Sequence, residues 1–467
     1  MRQTQDQGKG QKARVKRQNC RTGVRSLWLL AFGFCLLTSS ASSLPLYRDS
    51  LPNGLIILTY EDHRLPIVDV SFACRSGAAF DPLGKSGTAN LTAQMLGRGT
   101  KTMTADSMAA LIEFLGADAS GGADYDASNL SMRLLAKDLA TGLDIGAEAI
   151  LSPRFDSTEF MMLKGQALSG ARRRLDNAGA AVDDAFNRLL FGDEPYGHPA
   201  SGDTGSLPPI ALADLVAFHT TLYRPNNCFV VAVGDFDRAE LVREVEQRLG
   251  RWQPGPVPTV APSTSATPER VQVKLITRPD MNQTYIEFGH AGITARDTDL
   301  LPTRLMSYIL GGAPMSSRLG LAVREEAGLA YDVRCYFDRR LLPGAFRASV
   351  QTEKPREAIR KMFDEVRLMH DSGATKAELL KAHNYYTGSL PLTYSSNRGK
   401  LFSASQVEIF RYGIDWLDRF PDKVRAVTLE QIDQAARDHL HPGNYVVVIM
   451  GNVNKDDLGL TDVDWVE

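Results

Sequence analysis

The second half of this chain repeats the organisation of the first half. Three residues of a helix-to-strand junction recur at a constant spacing of 217 positions: Pro225 and Pro442, Asn227 and Asn444, Gly234 and Gly451. In both halves they follow an amphipathic helical pattern and lead into a short apolar, β-branched run, which is typical of a strand. A period this long indicates duplication of a whole domain, because solenoid repeats are much shorter. The chain is therefore expected to fold as two similar domains.

A proline-rich segment separates the two halves. Residues 254–268, PGPVPTVAPSTSATP, contain five prolines in fifteen residues, a composition that favours a stiff, extended linker. We therefore predict an N-terminal domain over residues 44–253 and a C-terminal domain over residues 269–467. Each has roughly 200 residues, which is an ordinary size for one domain.

Each half mixes short apolar strands with helical patterns of ten to twenty residues. GLIILTY and IVDVSFAC follow each other closely, which predicts that these two strands pair in an antiparallel manner. SMRLLAKDLATGLDIGAEAI and RASVQTEKPREAIRKMFDEV each predict a strand that leads into a helix, one in each half. The predicted fold class is α+β, with two homologous domains that each have an antiparallel-rich sheet and helices on one face.

The first 43 residues have the pattern of a secretory signal peptide. Residues 1–26 carry eight Lys or Arg and one acid; an apolar core, LWLLAFGFCLL, and a small-residue run, TSSASS, follow. A basic start, a short apolar core and small residues at the exit are the marks of such a peptide. We predict cleavage near Ser43 and a secreted protein of the bacterial periplasm; an uncleaved membrane anchor is the alternative.

Charge and cysteine content exclude several classes of function. The whole chain has 53 basic and 55 acidic residues, but residues 44–467 have 45 and 54 and a net charge of −9. A chain this acidic without a basic stripe is not expected to bind nucleic acid. Cys74, Cys228 and Cys335 are too few and too scattered for a disulfide framework or a cysteine zinc site. Because Cys74 and Cys228 lie in apolar runs, we expect buried thiols.

KSGTANLTAQMLGRGT, residues 85–100, predicts a short helix between two glycine-bearing turns. The order of a strand, the loop RSGAAFDPLGKSGTA and this helix resembles the pitrilysin/insulinase family of zinc metallopeptidases, the inverzincins. In that family the helix bears H-x-x-E-H, whose two His bind Zn²⁺ and whose Glu is the general base. The resemblance extends over nearly all of residues 45–455 and implies the duplicated fold.

The metal ligands of that family are absent from this chain. The register places Asn90, Ala93 and Gln94 where the family has His, Glu and His, and the family's third ligand falls on Ser169 or Gly170. Neutral amides are poor zinc ligands, and the methyl group of Ala93 cannot accept a proton. No two histidines are three or four residues apart, and no G-x-S-x-G pattern offers another chemistry. We therefore expect no metal or other cofactor in this chain.

A second motif of the family is present. SSRLGLAVREEAGLAYDVRCYF, residues 316–337, resembles the second-half segment in which an Arg and a Tyr seven residues later reach a zinc site. Here these residues are Arg324 and Tyr331. We predict a helix capped by Ser316 or Ser317 that ends at Gly328. A guanidinium and a phenol can bind peptide and stabilise an oxyanion; the alternative is a surface Arg beside a half-buried Tyr.

The resemblance also implies a function. Some bacterial members divide the work between one chain with H-x-x-E-H and another that supplies the Arg/Tyr pair, and this chain matches the second type. We therefore predict the non-catalytic subunit of a heterodimeric zinc peptidase, inactive alone, whose partner chain carries the zinc and whose substrates are short or unfolded peptides. The alternative is a structural or peptide-binding scaffold. An active homodimer is disfavoured, because two copies still provide no zinc ligand.

Overall fold

Two six-stranded sheets form the framework of the protein, one in each half. The computed structural model describes residues 45–260 and 267–466, so the predicted leader and residues 261–266 of the linker lie outside the described residues. The strands in chain order are β1 (Tyr47–Ser50), β2 (Ile56–Glu61), β3 (Ile67–Cys74), β4 (Asp118–Ala123), β5 (Ser128–Leu135), β6 (Cys228–Gly234), β7 (Gln272–Thr277), β8 (Thr284–Ala291), β9 (Ala330–Phe337), β10 (Ala345–Thr352), β11 (Val446–Gly451) and β12 (Asp464–Val466).

Helices occupy most of the chain between these strands. They are α1 (Thr88–Met95), α2 (Ala105–Phe114), α3 (Leu139–Leu151), α4 (Ser157–Asp176), α5 (Ala178–Phe191), α6 (Leu212–Leu222), α7 (Arg238–Leu249), α8 (Leu300–Ser307), α9 (Pro355–Ser372), α10 (Lys376–Gly388), α11 (Leu390–Thr393), α12 (Asn397–Phe410), α13 (Trp416–Arg425), α14 (Leu429–His439) and α15 (Lys455–Leu458). Two π-helical segments, Tyr308–Gly312 and Gly320–Glu326, precede β9. Among the described residues no helix is long and apolar enough to cross a membrane.

The α+β class is confirmed, because antiparallel pairs outnumber parallel ones in both sheets. The first sheet has the order β1-β2-β6-β3-β5-β4, and only β2 and β6 pair in parallel. The second has the order β12-β7-β11-β8-β10-β9, with parallel pairs at β12–β7 and β7–β11. The strand-to-helix units predicted in both halves are β5–α3 and β10–α9.

The predicted pairing of β2 with β3 is wrong, because β6 lies between them. Val231 of β6 faces Leu58 of β2 in parallel register and Ser71 of β3 in antiparallel register. Every residue of β6 is buried. A strand that is apolar at successive positions is stable only where both of its faces are covered, and the centre of the sheet meets that condition. β11 occupies the same central place in the second sheet and is also fully buried.

The expectation of two buried thiols is also wrong, because Cys74 and Cys228 form a disulfide. The register of β3 against β6 places them directly opposite each other, where side chains of neighbouring strands are close enough to interact. The two residues are 154 positions apart, so their proximity depends on the strand order. Among the described cysteines, Cys335 is left as a free, buried thiol.

Each sheet has one face covered by a helix from the opposite half of the chain. Helix α5 of the first half packs on the second sheet, with Phe186 against Ala345 and Val448. Helix α12 of the second half packs on the first sheet, with Val407 and Phe410 among its contacting residues. The opposite face of each sheet carries helices of its own half, as predicted. The two halves are therefore joined by a reciprocal exchange of helices.

Buried charges accompany both exchanged helices. Arg347 of β10 is only 4% exposed; its guanidinium contacts Asp183 of α5 (2.5 Å), Glu287 of β8 (2.8 Å) and Asp338 (3.0 Å). Helix α12 contributes Lys400, which pairs with the buried Asp62 before β3, and Glu408, which pairs with Arg75 and Arg48. A buried charge must be paired to be tolerated, so these contacts specify how the exchanged helices sit.

We predict that Arg347→Ala destabilises the protein by about 3–5 kcal/mol, because it leaves carboxylates buried without their cation. Urea unfolding followed by circular dichroism measures the loss. Arg419→Ala is the matched control: Arg419 is exposed and pairs only with Asp415 in the same helix, so its effect should be within about 0.5 kcal/mol. Equal stabilities of the two variants would contradict a structural role for the Arg347 cluster.

A second polar contact links the halves at the loop before β10. Tyr196 donates to Asp126 Oδ1 (2.7 Å), while the backbone N–H groups of Leu341 and Leu342 donate to Asp126 Oδ2 (3.2 Å) and to the Tyr196 hydroxyl (3.0 Å). Burial raises the pKa of Asp126 to about 6, although the hydrogen bond from Tyr196 opposes the rise. The folded protein therefore holds a proton on Asp126 at pH values where the unfolded chain has lost it.

This shift predicts a pH dependence of stability. The contribution of Asp126 is fully present below about pH 4 and is lost as the pH rises through 6, about 3 kcal/mol in total for a shift of about two units. Urea unfolding at pH values between 4 and 7.5 should show this decline. Asp126→Asn should reduce the decline by about this amount, while the part that comes from Asp81 and Glu287, whose pKa burial also raises to about 7, should remain. Asp118→Asn, an exposed residue of β4, should leave the decline unchanged; the same pH profile in both variants would contradict the assignment.

Candidate functional site

Helix α1 forms where the sequence predicts a helix, and the loop before it holds its first turn. Gly87 precedes the helix in a left-handed conformation (φ +99°) that glycine adopts without strain. The carboxylate of Asp81 accepts hydrogen bonds from the backbone N–H groups of Gly87 and Ala89, both at 2.7 Å. A carboxylate at a helix N-terminus pairs with otherwise free N–H groups and with the helix dipole. The helix is thus anchored without any metal.

The three positions of the lost zinc motif lie where α1 meets β4, the outer strand of the first sheet. The side-chain oxygen of Asn90 accepts a hydrogen bond from the backbone N–H of Ala123 in β4 (3.2 Å). Ala93 is fully buried, and its carbonyl lies against Gly121, where a Cβ would come within 2.1 Å of that oxygen. Gln94 lines an open cleft of about 550 Å³ between α1, α2, α4 and β4.

These residues do not fit a zinc ion. Asn90 already uses its oxygen on β4, Ala93 presents only a methyl group, and Gln94 is a neutral amide. At the third-ligand position, Ser169 donates its hydroxyl to the carbonyl of Gly165 in its own helix (2.9 Å), and Gly170 has no side chain. Within residues 45–260 and 267–466 there is no group of three His, Cys, Asp or Glu side chains that could hold a metal. No chemical step can therefore be assigned to this helix.

The second predicted pair is assembled in the structure. The Ser317 hydroxyl accepts a hydrogen bond from the Gly320 N–H (3.1 Å) and so caps the helical segment, as predicted. Gly328 ends it in a left-handed conformation (φ +59°), and Tyr331 is the second residue of β9. The guanidinium carbon of Arg324 lies 4.8 Å from the centre of the Tyr331 ring, a cation–π distance. Tyr331 is 84% exposed, so the alternative of a half-buried Tyr does not hold.

The structure adds an anchor for this segment that sequence reasoning missed. Arg318 makes a bidentate contact with Glu378 of α10 (2.8 and 2.9 Å) and donates to the carbonyl of Gly373 (2.8 Å). Burial alone would raise the pKa of Glu378, but hydrogen bonds from Arg318 and Thr375 outweigh it and lower the pKa to about 2. The only sequence signal was the Thr375–Glu378 capping-box pattern, which predicts the start of α10 and not its partner.

Exposed apolar and acidic residues lie near Arg324 in the sequence. Met315 is 65% exposed and Leu321 is 42% exposed, and Glu325 and Glu326 are exposed as well. The helical segment itself has π geometry from Gly320 to Glu326, an arrangement that is rare and often found at functional sites. A partly buried Arg beside an exposed Tyr, in a segment with exposed Met and Leu, has the composition of a binding surface.

Fold and site together define a duplicated two-sheet protein in which Arg324 and Tyr331 form a pair and the described residues contain no group of metal ligands. Comparison with known sequences gives the family: the profile described as "Insulinase (Peptidase family M16)" matches residues 56–203, and the profile "Peptidase M16 inactive domain" matches residues 209–386. The chain belongs to peptidase family M16, the insulinase family. The resemblance deduced from the motifs is confirmed.

Individual relatives agree with this assignment over most of the chain. An uncharacterized zinc protease of Mycobacterium tuberculosis is 26% identical over 88% of this chain and 94% of its own length. The non-peptidase homolog YmxG of Helicobacter pylori is 23% identical over 86% and 92%. A crystal structure of a peptidase M16 inactive domain from Pseudomonas fluorescens, 27% identical, superposes with a TM-score of 0.81 and covers 88% of this chain and 98% of that one.

The contact between α1 and β4 yields a sharp test. Gly121→Ala would place a Cβ 2.1 Å from the carbonyl oxygen of Ala93, so helix and strand would have to separate. We expect a loss of about 1–3 kcal/mol in urea unfolding. Gly122→Ala is the matched control, because its Cβ would meet only Asn90 Oδ1 at 3.7 Å. If both substitutions cost the same, α1 does not depend on this close approach.

Proposed function

We propose that this chain is the non-catalytic subunit of a secreted, heterodimeric zinc peptidase and contributes Arg324 and Tyr331 to the partner's active site. One observation carries the proposal: the helix that would bind zinc has no ligand among the described residues, while Arg324 and Tyr331 are assembled into a pair in which Tyr331 is exposed. Zinc and the H-x-x-E-H motif would be supplied by a homologous partner chain. The name of the related non-peptidase homolog agrees with a member that does not cleave peptides itself.

The chemistry of the pair supports a role in peptide hydrolysis. Attack of water on a peptide carbonyl places negative charge on the carbonyl oxygen, and a phenol O–H or a guanidinium can donate to it. Tyr331 is free to face a partner, since 84% of it is exposed. Arg324 lies over the Tyr331 ring and reaches the carboxylate of the neighbouring Glu325 at 3.6 Å, a distance too long for a strong hydrogen bond. The exposed Met315 and Leu321 of the same segment can supply apolar area for an interface.

The sheet edge beside the pair supports binding of an extended peptide. β9 is the outer strand of the second sheet, and Tyr331 is its second residue. An outer strand exposes a row of backbone N–H and C=O groups, to which a peptide can add as a further strand. Short or unfolded peptides can adopt this extended form, whereas folded proteins cannot.

A disulfide bond in the first sheet supports the proposed secretion. The Cys74–Cys228 disulfide lies between two central strands of the first sheet. Disulfides form and persist in oxidising compartments, including the bacterial periplasm. Together with the signal-peptide pattern of residues 1–43, this bond favours an extracytoplasmic protein.

A scaffold without a role in hydrolysis is the second candidate. It is favoured by the close packing of α1 against β4, which leaves the former metal positions as structural contacts. Affinity purification of the chain from its own organism discriminates the two. Recovery of peptides without any homologous H-x-x-E-H chain would favour the scaffold.

We expect the purified chain alone to bind no stoichiometric zinc and to cleave no peptide, and to become active when mixed with its H-x-x-E-H partner. In that complex, Arg324→Ala and Tyr331→Phe should each lower kcat, by about 10²-fold if the residue donates to the oxyanion. Metal analysis and a quenched fluorescent peptide measure these outcomes. Size-exclusion chromatography should show an intact complex with both variants.

Tyr336→Phe is the matched control, since Tyr336 lies on the same strand and is 40% exposed but has no predicted role. Its complex should keep full activity. If the single chain hydrolyses peptides and a chelator stops the reaction, the proposal is wrong. An active complex that tolerates both Arg324→Ala and Tyr331→Phe would refute the role of the pair while leaving the subunit assignment in place.

A further inference from the structure

A cleft of about 360 Å³ lies at the side of the second sheet, remote in the sequence from the Arg/Tyr segment. It is bounded by α9, by the loop before β11 and by the C-terminal segment that follows α15. Neither the family motifs nor the proposed peptidase role uses these elements. The residues that line the cleft are nevertheless a selective set of hydrogen-bond donors.

Three arginines of α9 line the cleft: Arg356, Arg360 and Arg367. Positions four and eleven residues apart lie on one side of a helix, so the three guanidinium groups share one face. Across the described part of the chain, Arg356 and Arg367 have no carboxylate within ion-pairing distance, and Arg360 only reaches Asp364 at 4.0 Å. A surface this rich in unpaired Arg is unusual in a chain whose residues 44–467 have a net charge of −9.

Tyr445 provides an independent observation at the same place. It is 1% exposed and lines the cleft, yet its hydroxyl proton has no acceptor among the described residues. Burial raises the pKa of Tyr445, although the charge of Arg367 and the backbone N–H of Gly443 near the hydroxyl oxygen oppose the rise. A buried hydroxyl whose proton has no acceptor is costly and indicates that an acceptor from outside the chain completes the site.

Besides the three arginines and Tyr445, the lining contains Asp364, which lies beside Arg360, and Thr461; the other side chains of the lining are apolar. Five side chains form these walls: Val271, Ile359, Phe363, Leu460 and Val463. A free inorganic ion would leave such walls in contact with water. A ligand that joins an anionic group to an apolar body would cover them and would accept from the donors at once.

We propose that this cleft binds the C-terminal carboxylate of a peptide whose last side chain is apolar. The carboxylate would accept from the Tyr445 hydroxyl and from the α9 arginines, and charge-assisted bonds of this kind are stronger than neutral ones. The terminal side chain would pack on the apolar walls. Capture of a free carboxylate by converging donors is an established mode of peptide recognition. The proposal does not depend on the peptidase role of Arg324 and Tyr331.

The test compares N-acetyl-Ala-Ala-Leu as its free acid and as its C-terminal amide, titrated into the purified chain by isothermal calorimetry. We expect the acid to bind and the amide to bind at least about tenfold more weakly, because the amide lacks the charge. Tyr445→Phe should weaken binding of the free-acid peptide by about tenfold. It should leave Tm nearly unchanged, because the hydroxyl proton has no acceptor within the described part of the chain.

Arg367→Ala is a second variant that removes a donor on the surface of α9, where loss of the side chain should not affect folding. This variant should also bind the free-acid peptide more weakly. Arg425→Ala, on the exposed side of α13, is the control and should bind like the unchanged chain. Equal affinity for acid and amide, or full affinity in both Tyr445→Phe and Arg367→Ala, would overturn the proposal. Equally effective competition by inorganic phosphate would assign the cleft to phosphate-bearing ligands and would also overturn it.

Discussion

The exchange of α5 and α12 between the two halves is the interaction on which the structure depends. Each helix covers a sheet face that its own half leaves open, and each brings charged groups that pair with buried charges of the other half. Neither sheet could keep its central strand buried on both sides without the other half. Because buried ion pairs tolerate little displacement, the exchange also holds the degenerate zinc helix and the Arg/Tyr segment in one rigid arrangement.

Much of the fold was predictable because its signals are local. The helix-to-strand junctions α6–β6 and α14–β11 follow from amphipathic helices that lead into β-branched runs, and their constant offset revealed the duplication. The helix exchange was not predictable, since the apolar face of α12 shows that it packs without showing on which sheet. Strand order is equally non-local. For that reason the pairing of β2 with β3 and the state of Cys74 and Cys228 were predicted wrongly.

In the candidate site, too, the features with local sequence signals were predictable and the non-local contacts were not. Arg324 and Tyr331 were found by their spacing in a family motif, and the Ser317 cap and the Gly328 end of their segment followed from helix-terminus chemistry. The resemblance to the family implied that the two side chains lie close together, but the distance of 4.8 Å between the Arg324 guanidinium and the Tyr331 ring comes from the structure. The Arg318–Glu378 contact spans sixty residues, and the cleft around Tyr445 draws on three separate segments. Contacts of this kind have no sequence signature, because a single Arg or Tyr looks the same whether or not it has a partner.

The geometry of α1 explains how the fold can persist without a metal. Its first turn is held by the Asp81 carboxylate, its middle by the contact of Ala93 with Gly121, and its outer face by the bond from Ala123 to Asn90. All three contacts come from the protein itself, so ligand positions can change without loss of the helix. Asn90 illustrates the outcome, because an amide oxygen that is a poor zinc ligand is a good acceptor for an edge-strand N–H. Other residues at the ligand positions of this half therefore leave intact the architecture that presents Arg324 and Tyr331 in the other half.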